Sequence, residues 1–269
     1  MTINFKKIYS NQFSYKIRNL LKIRPNLYIT PAKKDKPVSD FFYWVKNNEF
    51  DTQFALMNIG SHILPHLKQK DYIELHIYDY KGKFIKKLNF VLDDLESKKI
   101  IFSKYGLNGY GSFFVFHKLN NLDYLSDNNT FISERGYVGY KKNNSVWNFM
   151  HGNHNAAYLD NSDNIKSLLP ISLFNNEYIP QTRFDDVDKF KLIFNNVNKR
   201  SIPFKIELYG ENNDLMNTIY SKCDFFNTIE ILIQNKEKII KFLKIKSKLL
   251  FCRPIILKFQ KGDFDIFHG

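Results

Sequence analysis

Only two cysteines, Cys223 and Cys252, occur in the 269 residues. Secreted domains without a large core usually carry cysteines in pairs, so a reducing, cytoplasmic setting is expected. Glycine is also scarce, with 11 residues, which argues against a small barrel built on glycine corners. No apolar run approaches the ~20 residues that a membrane span requires. Lysines near Met1 have no apolar stretch behind them, so no secretory signal is expected. The HExxH, GxSxG, CxxC and glycine-rich phosphate signatures are all missing, and no cofactor is indicated. His62 and His66 are four apart, with Pro65 between them, and His151 and His154 are three apart. Zinc needs three or four ligands in fixed geometry, so no metal site is expected.

Apolar residues are plentiful: the hydrophobic fraction is 43%, with 26 Phe and 16 Tyr, enough for a substantial core. The net charge of +13 is confined to two short segments. Residues 1–36 hold nine Lys/Arg against one acid, and residues 236–253 hold seven against one. Residues 37–235 hold 22 bases and 23 acids, so the body is neutral. Lysine outnumbers arginine 34 to 6, whereas phosphate-gripping proteins favour the arginine fork. Such a ratio, with abundant Asn and Ile, is also what AT-rich codon usage writes. The aromatics alternate with aliphatics at core spacing, so nucleic acid is disfavoured as a partner.

Residues 1–36 read as a basic arm. Phe13, Ile17, Leu20 and Leu21 fall at helical spacing, and Pro25, Pro31 and Pro37 mark an extended linker. The arm either packs as a short helix across the end of a sandwich or contacts a membrane surface or an acidic protein. From Pro37 the period becomes two. Ile73, Leu75 and Ile77 face one way, the turn Asp79-Tyr80-Lys81-Gly82 follows, and Leu88, Phe90 and Leu92 continue as a hairpin. Two short helices are expected, one from Asp163 to Leu169 and one over Asn235–Lys246, where Ile239, Phe242 and Leu243 fall at helical spacing. Leu249–Phe259 is expected to be the last long strand.

The second half repeats the layout of the first. Phe54–Asn58 resembles Phe190–Asn195, and Ile73–Tyr78 resembles Phe204–Tyr209. The fold expected is therefore all-β: two tandem, related antiparallel β-sandwich modules, immunoglobulin-like or jelly-roll-like, over 37–160 and 161–269, behind the short helical arm at 1–36. Phe264 and Phe267 keep the C-terminus aromatic, so they are expected to dock onto the other module or onto a partner subunit of an oligomer.

The densest polar and aromatic stretch runs from Phe131 to Leu159. It holds Glu134, Arg135, Tyr137, Tyr140, Trp147, His151, Asn153, His154 and Asn155, and the second half has nothing comparable. Rings stack on the apolar face of a sugar, while amides and a guanidinium satisfy its hydroxyls. The expectation is a non-enzymatic binding protein whose first module recognises a carbohydrate or a sugar-containing metabolite. The alternative is an enzyme acting on a sugar or small polar substrate, with His151 and Glu134 as base and acid and Arg135 holding an anionic group. A nucleophilic set of Ser133, His151 and Asp160 can also be drawn, but many such triples can.

Overall fold

The computed structural model describes residues 36–63, 65–66, 68–118, 133–134, 136–168, 171–235, 239–249 and 253–268, together with Ser14 and Ile17, both helical. The remainder of the basic arm lies outside the described residues. The chain is all-β. In order, the strands are β1 (Val38–Lys46), β2 (Phe50–Met57), β3 (Asp71–Asp79), β4 (Phe84–Leu92), β5 (Ser97–Ile101), β6 (Gly109–Lys118), β7 (Ser133–Glu134), β8 (Tyr137–Lys142), β9 (Asn148–His151) and β10 (Asn153–Leu159). There follow β11 (Ile165–Ser167), β12 (Ile171–Tyr178), β13 (Lys189–Asn195), β14 (Ile202–Tyr209), β15 (Leu215–Cys223), β16 (Thr228–Gln234), β17 (Phe242–Leu249), β18 (Ile255–Gln260) and β19 (Asp263–His268). A five-residue helix, α1 (Ile59–Ile63), ends before Pro65. Among the described residues no helix is long and apolar enough to cross a membrane.

The strands form small antiparallel sheets. One runs β11-β10-β1-β6-β3-β4, with the two-residue β7 lying parallel to β1, and the others run β5-β2-β8-β9, β12-β17-β14-β15 and β16-β13-β18-β19. The first pair of sheets shares an interior: the Phe42 ring of β1 is 4.9 Å from Phe54 of β2, and Phe54 is 5.4 Å from Phe113 of β6. The second pair does the same through Phe194 and Phe204, 4.4 Å apart. A third apolar contact joins the halves, where Phe226 lies 4.7 Å from Tyr78 and 5.9 Å from Phe114. The sheet holding β1 and β6 is therefore covered on both faces, and nearly every residue of those strands is buried. Burial on both faces removes the need for in–out alternation.

The two halves match in detail. β1-β6-β3-β4 and β5-β2-β8-β9 have the same serial pattern as β12-β17-β14-β15 and β16-β13-β18-β19. The β3–β4 register shifts between Ile77 and Tyr78, and the β14–β15 register between Leu208 and Tyr209. Each of these hairpins closes on a left-handed residue, Gly82 (φ 74) or Asn213 (φ 59). Asn58 Nδ2 donates to Asp93 O and Asn196 Nδ2 to Cys223 O, each tying the end of β2 or β13 to the end of the hairpin. Counted from these asparagines, Phe54 matches Leu192 rather than Phe190, two positions from the pairing suggested by sequence. Ile73–Tyr78 and Phe204–Tyr209 hold the same place in the two strand orders.

In their described residues neither expected helix forms, while Leu169 and residues 236–238 lie outside the described residues. Asp160 closes a turn by accepting from the backbone N–H of Ser162 and of Asn164 through Oδ1, and Ile165–Ser167 then pairs with β10 as a strand. Phe242–Leu249 is a strand, with Leu243, Ile245, Ser247 and Leu249 buried at period two. Pairing on both sides, with β12 and β14, overrides the helical spacing of Ile239, Phe242 and Leu243. The expected final strand is instead β18, which turns at Lys261-Gly262 into β19. Phe264 docks onto the first half, its ring 5.2 Å from Phe50.

Candidate functional site

The stretch expected to carry the site folds as the β8–β9 hairpin and then β10. Asn143 takes a left-handed conformation (φ 50) in the turn, where Ser145 N donates to Lys142 O. Tyr137 pairs with His151 and Gly139 with Phe149, so these four residues lie on one face. That face is open to solvent: Tyr137 is 52% and Phe149 47% exposed, and His151 is exposed as well. The Tyr137 and His151 rings are 4.4 Å apart. The Phe149 ring lies against Gly139, its Cε1 only 2.6 Å from where a Cβ would stand. Glycine there leaves room for the ring. The result is a platform of three rings at the end of a sheet.

β9 lies beside β19. Asn148 Nδ2 donates to Phe264 O at 3.2 Å, Lys142 Nζ to Gly262 O at 2.6 Å, and the His151 and His268 rings are 6.2 Å apart. His268 accepts a hydrogen bond from Arg253, whose carbonyl in turn accepts from Asn153 Nδ2 at 2.8 Å. His151 of the platform thus meets His268 along the β9–β19 seam.

The expected site residues divide. Tyr137 and His151 sit on the exposed face, and Trp147 is half-buried just before β9. Tyr140 is fully buried, and its hydroxyl donates to Tyr43 O at 2.8 Å, so it belongs to the core rather than to a ligand surface. Asn153 is 2% exposed, with its amide used on the Arg253 carbonyl. Glu134 lies on β7 beside Ser39 of β1, in a different sheet from His151. Its side chain, those of His154 and Asn155 on β10, and all of Arg135 lie outside the described residues. Asp160 serves its turn; the backbone N–H of Asn164 is the main reason that its carboxyl is held below the usual carboxylate range.

Three participants are not signalled as such in the sequence. Phe149 reads in sequence as one apolar residue among many, although its pairing opposite Gly139 puts it on the face of Tyr137 and His151. His268 and Arg253 reach the seam only through the β9–β19 contact, which no local pattern signals.

No family model matches the chain, and no curated protein matches it. Among solved structures, a glycosyl hydrolase family 2 member from Bacteroides cellulosilyticus DSM 14838 aligns over 90% of this chain and 27% of its own length, with 10% identity and a TM-score of 0.19. The chain therefore spans about a quarter of that protein's length, and a TM-score of this size establishes no common fold.

Proposed function

We propose that the chain is a carbohydrate-binding protein without catalytic activity, made of two related antiparallel β-sandwich modules that arose by internal duplication. Support for the duplication comes from the repeated strand order and from the shared register shift at Tyr78 and Tyr209. Cytoplasmic residence is favoured by cysteine usage: the Cys223 thiol is buried, and burial pushes it up to about 12, which keeps it inert.

The reading rests on one observation, the exposed ring platform of Tyr137, Phe149 and His151. Aromatic rings at the surface cost hydration, and three of them on one face form a concentrated patch. Exposed rings side by side suit the C–H face of a pyranose. The first-module ligand site is thus narrower than the nine residues named from sequence, with Trp147 at its border.

The test is calorimetric titration with a panel of cello-, xylo-, manno- and chito-oligosaccharides. At least one is expected to bind, with each of Tyr137→Ala and Phe149→Ala weakening it roughly fivefold, the worth of one stacking contact. Tyr220→Ala, at a position 75% exposed elsewhere on the surface, serves as the control and leaves binding unchanged. Absence of binding by the whole panel, or platform variants that bind like wild type, refutes the reading.

A further inference from the structure

The second half contains a buried charge that its fold does not require. Lys258 of β18 is 7% exposed, yet it points to the side where its neighbour Ile256 joins the core. Its ammonium donates to Arg183 O, lies 3.8 Å from Asp186 Oδ1, and stands 5.3 Å from the ring centres of both Phe184 and Phe267. Burying an ammonium costs several kcal/mol unless it is well paired, and an apolar residue would serve packing better. The first half takes that course. Counted from Asn58 and Asn196, Lys258 matches Tyr140, since Tyr140 pairs with Thr52 and Lys258 with Phe190. Tyr140 fills its interior and stacks on Tyr43 at 5.9 Å. Lys258 instead borders a cavity of about 310 Å3.

The cavity is lined by Asp186, Gln260, Asp263, Asp265 and Phe267 as well as Lys258. Lys258 and Gln260 on β18 pair with Asp265 and Asp263 on β19, so four polar side chains form its floor. Lys261 also contributes, which leaves three carboxylates against two ammonium groups. That balance repels an anion. It suits a neutral ligand whose hydroxyls donate to carboxylates and accept from Lys258 and Gln260, while Phe267 covers an apolar face. Burial lowers the Lys258 amine from its ordinary value, against the pull of Asp186 and Asp265. The volume lies at the small end of the range for ligand sites, about 300 to 1,000 Å3, and so suits a single sugar ring.

We propose that this cavity is a binding site for one neutral pyranose or a polyol of that size, separate from the ring platform on β8–β9. The two sites fail independently, because no platform residue lines the cavity.

Saturation-transfer NMR with free glucose, galactose, mannose, xylose and N-acetylglucosamine tests it, with glucuronate as the anionic comparison. At least one neutral sugar is expected to receive saturation, and Lys258→Met and Asp265→Asn each weaken its affinity at least about tenfold. Tyr137→Ala leaves the effect intact. Lys258→Met removes a buried charge and is expected to melt no lower than wild type; Asp265→Asn, on an exposed position of β19, supplies the second variant should it not fold. The proposal is overturned if no neutral sugar binds, if both variants bind as wild type does, or if glucuronate is preferred.

Discussion

The hydroxyl of Tyr43 in β1 donates to Glu230 Oε1 in β16, joining residues 187 apart in the chain across the contact between the two halves. Tyr43 is fully buried, and Lys191 Nζ holds the other carboxylate oxygen at 2.7 Å. A charged, hydrogen-bonded group is therefore set into the contact between the halves. Tyr43→Phe keeps the ring but leaves the carboxylate short of a donor. It is expected to destabilise the chain by about 1–3 kcal/mol, read as a lower urea midpoint with an unchanged m-value.

Several tyrosines make the chain sensitive to alkali. Burial, then the charge and hydrogen bond of Glu230, push Tyr43 well above 10.0, and burial does the same to Tyr140. Burial also raises Tyr78 to about 12. Above about pH 10 the unfolded chain loses tyrosine protons that the folded chain keeps, so it binds fewer protons and stability falls as pH rises. Below that pH this contribution is complete. Urea midpoints are expected to be flat through pH 9 and to drop steeply beyond 10, less steeply in Tyr140→Phe.

Acid acts through two glutamates. Burial alone would raise Glu74, but hydrogen bonds from Lys118, His76 and Lys87 outweigh it and hold the carboxyl at about 2. Glu207 is held at about 2 chiefly by Lys205, with Lys246 and Tyr209 adding to it against burial. Both contributions are complete above about pH 4.5 and are lost as pH falls toward 2, because the unfolded chain takes up protons first. Glu207→Gln is expected to flatten the acid limb of a midpoint-against-pH curve, and an unchanged limb would contradict this.

The sheets of this chain are legible in sequence wherever one face is buried and the other wet. Ile73, Leu75 and Ile77 alternate with more exposed neighbours in β3, and Leu92 follows Leu88 and Phe90 in β4. Over Asn235–Lys246, Phe242 and Leu243 satisfy either period, and only pairing with β12 and β14 decides between helix and strand. Parity separates the candidate site in the same way. Tyr137 and Tyr140 are an odd number of positions apart, so they face opposite sides of β8, one in water and one in the core. The β9–β19 seam joins Asn148 to Phe264 over 116 residues, and a contact of that range leaves no local signature.

Gly152 marks where the chain leaves one sheet for the next, between β9 and β10. A Cβ there would stand 2.7 Å from both Asp40 Cβ and Phe42 Cε1, at the irregularity between Ser39 and Phe41 in β1. Neither neighbour can retreat easily, because Phe42 is fully buried. Gly152→Ala is expected to cost about 1–3 kcal/mol through overpacking and to weaken oligosaccharide binding only as far as it loosens the hairpin. Thermal melts compared with those of Gly106→Ala separate the two causes: Gly106 has nothing near its missing Cβ, so only its left-handed φ of 70 is strained.

Phe226 plugs one half into the other from a conformation that bulky residues avoid. Its φ is 60, its ring lies against Tyr78 and Phe114, and its Cβ is 2.6 Å from where a Cβ on Gly82 would lie. Leu95, the matching residue of the first half, has the same left-handed backbone (φ 58) but is 56% exposed. The strain is thus inherited from the turn, and the ring's burial between the halves outweighs it. Phe226→Ala is expected to cost about 3 kcal/mol in lost packing and to split unfolding into two transitions if the plug is what couples the halves. Gly82→Ala, strained in its own right at φ 74, clashes with the Phe226 Cβ, C and O atoms at 2.6, 2.8 and 2.9 Å; a Phe226→Gly background removes the Cβ, the nearest of the three, and leaves the two backbone contacts. The double variant should therefore be more stable than the sum of the single losses by at least about 1 kcal/mol. Additive losses would mean that the two residues do not meet in solution.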